Sequence, residues 1–279
     1  MKKILFPTDF SNAANNAFVY ALQFANQFQA EIVVLHQYDL PTIHVGGLPS
    51  TLKDVYDTIE LETFENFKSQ IPALHQIAKE HQLDQVKISN VLKHGDLIYA
   101  IQELIKEDTF DFIIMGTKGA SGLKEMFLGS NAGAVISEVE SVVVAVPEDS
   151  AFNDLKRIVF TTRFREKDRL ALQKVLKIAN ALGAQVHLVH VENSKNTIDA
   201  SIVNQWKVDF EGLGVVFHQF KDENTYQTIL NFIDSYEVDM VAMLHYKKGF
   251  FQELFQQSLT QKLSYHSKIP VLSIHEKVL

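Results

Sequence analysis

Residues 2–37 can be laid on residues 156–191 without a gap, and eleven of the thirty-six paired positions are identical. The matches include Ile4/Ile158, Phe6/Phe160, Phe10/Phe164, Ala25/Ala179, Asn26/Asn180, Ala30/Ala184 and His36/His190. A second register, shifted by 128 rather than 154, lays 96–146 on 224–274 and pairs Asp111/Asp239, Met115/Met243, Phe127/Phe255 and Ser130/Ser258. The shifts differ by 154 − 128 = 26, so the first half carries 26 extra residues, all between Gln37 and Val86. Self-similarity on this scale means one domain-sized unit written twice, and the fold must be built from two copies of it.

Within the first unit, apolar runs at 3–8, 31–36, 86–92, 111–115 and 142–146 read as strands. The runs are continuous rather than alternating, as strands buried on both faces require. Between them the apolar residues recur at helical spacing. Ser11 is placed to cap a helix whose apolar face is Ala14, Ala17, Phe18, Ala21, Ala25 and Phe28. A long helix is expected from Leu52 to about Glu80, with Pro72 as the place for a kink. Asp96 caps Leu97–Lys106, and Ser130 opens a last helix over Ala132–Glu138. The second unit repeats the scheme, with Asn224 in the place of Asp96. Strands alternating with helices place the chain in the α/β class, as two tandem doubly wound parallel sheets. The expected domains are 1–149 and 154–279, joined by the short polar link Glu148–Asp154 and therefore in contact.

Hydrophobic residues make up 46% and charged residues 22%, the balance of a globular chain rather than a disordered one. The formal charge of −8 argues against a broad basic surface for nucleic acid. There is no cysteine, which closes disulfide and thiolate–metal chemistry and fits a reducing cytoplasm. The apolar start is interrupted at Pro7 and Asp9, too early for a signal peptide, and no run reaches membrane-span length. A cytoplasmic protein without membrane or nucleic-acid partners is the expectation. Among eleven histidines no metal-binding helix spacing occurs. His187 and His190 point to opposite faces of a strand, and a structural hydrogen bond is the favoured role for the repeat-related His36 and His190. Trp206 and the group Phe250, Phe251 and Phe255 read as core or interface rather than a base-stacking platform.

The chemistry concentrates behind Phe112–Met115. There the chain reads Gly116, Gly119 and then Gly129-Ser130-Asn131, a G-x2-G-x9-G-S spacing. Glycines let backbone N–H groups approach an anion, and a Gly-Ser-Asn step opening a helix adds orphan donors and the positive end of its dipole. A bare strand–helix connector is the less favoured alternative for the loop, because a connector needs no such fixed spacing, whereas Asp9 taken alone could equally be a turn aspartate.

This spacing closely resembles the nucleotide motif of the universal stress protein family in its ATP-binding branch. Ile4-Leu-Phe-Pro-Thr-Asp-Phe-Ser11 is similar to that family's first strand. The resemblance implies strand order 3-2-1-4-5 and a ligand crevice between strands 1 and 4. It also implies two halves packed about a pseudo-two-fold axis where the fifth strands, Val142–Val146 and Val271–Ile274, meet, the second half supplying the partner that single-domain relatives obtain by dimerising, with a further homodimer compatible. It implies ATP as the ligand, with Mg²⁺ bound through phosphate oxygens and water. Asp9 would accept hydrogen bonds from ribose or the adenine region, with Pro7, Thr8 and the backbone of Gln37 beside the base. Gly116, Gly119, Gly129, Ser130 and Asn131 would hold the phosphates, Met115 at the end of strand 4 is counted among the binding residues, and Lys118 and Lys124 could add charge.

By the repeat alignment Asp9 becomes Arg163, Gly116 becomes Leu244, Gly119 becomes Lys247 and Gly129 becomes Gln257, while Ser130 persists as Ser258. The second half is therefore not expected to bind ATP in the family manner; Arg163, Lys247 and Lys248 are an anion pocket or, as the commoner case, solvated loop charges. The extra segment at 38–85 could fold over nucleotide as a lid or serve as a connector. The sequence has no GxxxxGK[ST], GxGxxG or GxSxG pattern, and no identifiable general base. An ATP-binding regulatory protein with an unidentified protein partner is the leading expectation. A nucleotide-free interaction scaffold and a slow ATPase are the alternatives.

Overall fold

The computed structural model describes residues 2–40, 49–117, 130–194, 196–246 and 269–279. The first half contains β1 (Lys2–Pro7), α1 (Asn12–Phe28), β2 (Ala30–Tyr38), α2 (Pro49–Glu80), β3 (Ile88–His94), α3 (Leu97–Glu107), β4 (Phe112–Gly116), α4 (Ser130–Glu138) and β5 (Val142–Val146). The second contains β6 (Arg157–Thr161), α5 (Glu166–Leu182), β7 (Gln185–Glu192), α6 (Ala200–Asp209), β8 (Val215–Lys221), α7 (Thr225–Ser235), β9 (Met240–His245) and β10 (Val271–His275).

All ten strands lie in one sheet, in the order β3-β2-β1-β4-β5-β10-β9-β6-β7-β8. Neighbours run parallel except β5 and β10, which pair antiparallel from Val142↔Ile274 to Ala145↔Val271. The two tandem parallel sheets expected from the sequence are thus joined edge to edge into one, through their fifth strands. β5 is buried along its whole length, and an apolar edge left unpaired would be an open template for association. The edge of the other half closes it. Among the described residues, α1, α2, α5 and α6 cover one face through Phe18, Phe24, Leu74, Leu172 and Trp206. On the other face α3, α4 and α7 pack through Ile101, Val135 and Ile233.

The local signals largely place the helices. Ser11 Oγ accepts from Ala14 N at 3.2 Å, Asp96 Oδ1 from Tyr99 N at 3.0 Å and Asn224 Oδ1 from Gln227 N at 3.1 Å. α2 begins three residues before the expected Leu52 and includes Pro72 in its interior. β3 starts at Ile88 rather than Val86, because Val86 N closes a turn onto the Leu83 carbonyl at 3.1 Å. The halves also share a brace at the start of β4 and β9. Lys3 N donates to Asp111 Oδ2 at 3.1 Å while Asp111 N donates to the Lys3 carbonyl at 2.9 Å. The repeat-related Arg157 and Asp239 exchange the same pair at 2.8 and 2.9 Å. The link between halves docks on α1, where Asn16 Nδ2 donates to the carbonyls of Pro147 and Ser150 at 2.9 and 2.7 Å.

Candidate functional site

β1 and β4 are neighbours but pair only at Ile4↔Phe112 and Leu5↔Ile113. Beyond that point β1 continues against β2, with Pro7 opposite Leu35, and β4 against β5, with Gly116 opposite Val146. The winding reverses between them, which is where crevices open in sheets of this kind. Both tips border the first turn of α1. Gly116 lies so close to it that a Cβ there would sit 3.1 Å from the Ala13 carbonyl oxygen and 3.3 Å from Ala14 N.

The turn leaving β1 is held by its own residues. Thr8 N donates to the Leu35 carbonyl at 2.9 Å, Phe10 N to Thr8 Oγ1 at 3.0 Å and Ser11 N to Asp9 Oδ1 at 3.0 Å. Phe10 takes φ 58°, a left-handed conformation uncommon for an aromatic residue. It is kept there by packing, with its ring 5.1 Å from His36 and 6.1 Å from Phe67. His36 Nδ1 lies 2.8 Å from the Thr8 carbonyl oxygen. A carbonyl only accepts, so Nδ1 carries the hydrogen.

Of the residues named from the sequence, Pro7, Thr8, Asp9, Met115 and Gly116 are brought together at the two strand tips. Pro7, Thr8 and Met115 are buried, whereas Asp9 is exposed. Gln37 is half-buried near the end of β2, opposite Lys93. Ser130 is the first residue of α4, and Asn131 next to it is exposed. Lys118, Gly119, Lys124 and Gly129 lie outside the described residues, as do Pro41–Leu48 of the suggested lid, Lys247, Lys248, Phe250, Phe251, Phe255, Gln257 and Ser258. Among the described residues no group of three or more His, Asp or Glu side chains could hold a metal ion.

The second half builds the same turn with different contents. Thr162 N donates to the Val189 carbonyl at 3.0 Å, Phe164 N to Thr162 Oγ1 at 2.8 Å, and His190 Nδ1 to the Thr162 carbonyl at 2.9 Å. Phe164 takes φ 54° and packs on His190 and on buried Trp206, with centroids 5.1 and 5.0 Å away. Asp168, only 3% exposed, stands where the alignment puts Ala14. Its Oδ2 accepts from Thr162 Oγ1, Arg163 N and Arg165 N at 3.0, 2.9 and 3.1 Å, and its Oδ1 from Tyr246 Oη at 2.6 Å. Burial, then the Asp168 carboxylate, pushes the Tyr246 phenol far above its ordinary pKa, so it remains a donor. Arg163, Arg165, Asp168, Leu244 and Tyr246 all line a cleft at this end of the sheet.

Asp168 and Tyr246 were not picked out by sequence reasoning. The available signal was an acid at the third position of α5, which reads as an N-terminal capping carboxylate. Nothing local showed that it would be buried against a tyrosine 78 residues away.

Residues 1–147 match the profile of the universal stress protein family. Two universal stress proteins of Methanocaldococcus jannaschii are similar to the chain. One is 28% identical over 155 residues, covering 52% of this chain and 94% of its own. The other is 30% identical over 145 residues, covering 52% and 81%. Among solved structures, a universal stress protein from Archaeoglobus fulgidus superposes with a TM-score of 0.73 at 20% identity, over 98% of each chain. A protein of unknown function from Pseudomonas aeruginosa gives 0.63 at 12% identity, over 99% of this chain and 92% of its own. At such identities these two structures speak for the fold alone. Because the family profile spans more than half of the 279 residues, the chain belongs to the universal stress protein family.

Proposed function

We propose that the crevice between β1 and β4 binds an adenine nucleotide, ATP in the first instance, and that the protein is a nucleotide-dependent stress-response regulator. The observation that carries this reading is the meeting of two strand tips, Asp9 on one and Gly116 on the other, around the first turn of α1. In the proposal Asp9 accepts hydrogen bonds from the ribose, Pro7, Thr8 and Gln37 flank the base, and Met115, Gly116, Gly119, Gly129, Ser130 and Asn131 enclose the phosphates, with Lys118 adding charge. A magnesium ion would be held by the phosphates and water.

In the same reading the chain is two tandem domains, 1–149 and 154–279, and only the first holds nucleotide. Leu244 takes the place of Gly116, and the Asp168 carboxylate already occupies the donors of the second turn. The second domain then acts as a built-in partner, joined through β5 and β10. Occupancy would alter the surface offered to a protein partner.

Calorimetric titration with ATP, together with mass spectrometry of any ligand released from the purified protein, tests this. One nucleotide per chain is expected, lost in Asp9→Ala. If the unaltered protein neither carries nor takes up adenine nucleotide, the protein is an interaction scaffold instead. Persistence of intact bound ATP over a long single-turnover incubation separates binding from slow hydrolysis.

A further inference from the structure

The repeat places two different side chains at one structural position. Tyr20 of α1 and Lys174 of α5 are equivalent in the first register, and the second register, carried four residues past Ile274, pairs Ser150 with Val278. In the first half the Tyr20 hydroxyl lies 2.6 Å from Ser150 Oγ and 3.1 Å from the Ala151 carbonyl oxygen, and so pins the segment after β5 onto α1. In the second half Lys174 Nζ donates to the Val278 carbonyl at 2.7 Å and pins the segment after β10 onto α5. Burial holds the Tyr20 phenol above its ordinary pKa, with the bond to Ser150 opposing. A position that keeps a hydroxyl neutral in one half thus carries an amine in the other.

The surroundings of Lys174 favour its uncharged form. A carboxylate selects an ammonium, whereas a carbonyl accepts an N–H from a neutral amine and leaves the nitrogen lone pair free to point elsewhere. Among the described residues no carboxylate lies within ion-pair distance of Lys174, and its hydrogen-bond acceptor is that carbonyl. Lys174 is half-buried, and Ala171, Val175 and Ile178 around it on α5 are buried in the core. Burial pushes its amine below the ordinary lysine pKa, with Asp111 of the first half opposing and Lys177, one turn along α5, lowering it further. Other lysines nearby are tied to carboxylates, Lys167 to Glu276 at 2.6 Å and Lys277 to Glu140. Lys177 itself is exposed.

We propose that Lys174 is an acylation site, a nucleophilic amine that takes an acyl group from a small activated donor, an acyl phosphate or an acyl thioester. The neutral Nζ attacks the acyl carbon with its lone pair, and the C–O or C–S bond to the leaving group breaks. Phosphate or thiolate departs with that bond's electron pair, and water takes the proton from the nitrogen. The product is an uncharged amide that keeps one N–H for the Val278 carbonyl. The mark falls where α5 meets the segment after β10, which itself reaches the first half through Lys277 and Glu140.

The unaltered protein is incubated with acetyl phosphate and, separately, with an N-acetylcysteamine thioester, and acetylation of each lysine is followed by peptide mass spectrometry. With at least one donor at neutral pH, Lys174 is acetylated about fivefold faster than Lys177, its exposed neighbour on the same helix. The faster donor identifies the leaving group as phosphate or thiolate. The lead narrows as the pH rises toward the ordinary lysine pKa, because Lys177 then loses its proton as well. In urea the lead disappears, since both amines are then solvated alike. The proposal is overturned if Lys174 reacts no faster than Lys177 with either donor, if its lead is the same at every pH, or if the lead survives unfolding.

Discussion

His36 Nδ1 donates to the carbonyl oxygen of Thr8 across 2.8 Å, and its ring stacks on Phe67 with planes 6° apart. This one imidazole fixes the end of β1 from the neighbouring strand, one residue before Asp9, to which a ligand contact is proposed. His36→Ala is expected to cost about 1–2 kcal/mol of stability through the lost bond and contacts, and to weaken nucleotide binding beyond that by loosening the turn. His36→Asn, whose amide can reach the same carbonyl, should recover binding before it recovers stability. Urea denaturation and ATP calorimetry on the two variants check this. Equal nucleotide affinity in all three proteins would leave the histidine a packing residue only.

On the proposed reading Gly116 has two reasons to lack a side chain, packing and the ligand, and they can be separated. A Cβ would press on the Ala13 carbonyl at 3.1 Å, so Gly116→Ala should destabilise by about 1 kcal/mol and Gly116→Val by about 2–3 kcal/mol. Nucleotide binding should already be lost in the alanine variant, which remains folded. Retention of ATP by a folded Gly116→Ala protein would show that the strand tip serves packing rather than the ligand.

How much of this was legible in the sequence depends on the range of each interaction. The caps at Ser11, Asp96 and Asn224 lie within three residues of their partners and could be read directly. The strand-end hydrogen bonds of His36 and His190 were legible because the repeat displayed them twice. The edge pairing of β5 with β10 was legible only through the family resemblance, since Val142–Val146 by itself announces a buried strand without naming its neighbour. At Gly116 the sequence suggested room for an anion, whereas the packing against Ala13 appears only once α1 is in place. Asp168 shows the limit most sharply: an acid in a first helical turn has an ordinary explanation, and only the fold brings Tyr246 to it.

The Asp168 network should be the costliest of the described polar groups to break. Asp168→Ala leaves the Arg163 and Arg165 N–H groups and the Tyr246 hydroxyl without their acceptor, and a loss of about 3 kcal/mol is expected. Tyr246→Phe removes one of four donors and should cost about 1 kcal/mol. Chemical denaturation of both variants and of the double variant gives the coupling, which should be clearly non-additive for groups in direct contact. Additive losses would mean that the tyrosine and the aspartate act separately.

Acid should weaken the outer edge of the second half. His187 and His218 stack with planes 13° apart and Nδ1 to Nε2 at 3.0 Å, beside Phe232 and Tyr236 of the α7 end. Burial holds both imidazoles below their ordinary pKa of 6.5, and His187 is lowered further by His218 and by Arg157. His245 is lowered in the same way by burial and by His275, with Glu276 opposing. A group that resists protonation only when folded leaves the unfolded chain binding more protons below 6.5. Stability is therefore full above that pH, falls as the pH drops toward the depressed folded values, and levels off beneath them. The urea midpoint should follow that course, and the double variant His187→Phe/His218→Phe, which keeps the ring stack without its titration, should flatten it in part and leave the share of His245. A midpoint that rises on acidification, or an unchanged slope in the double variant, would rule out these histidines as the source.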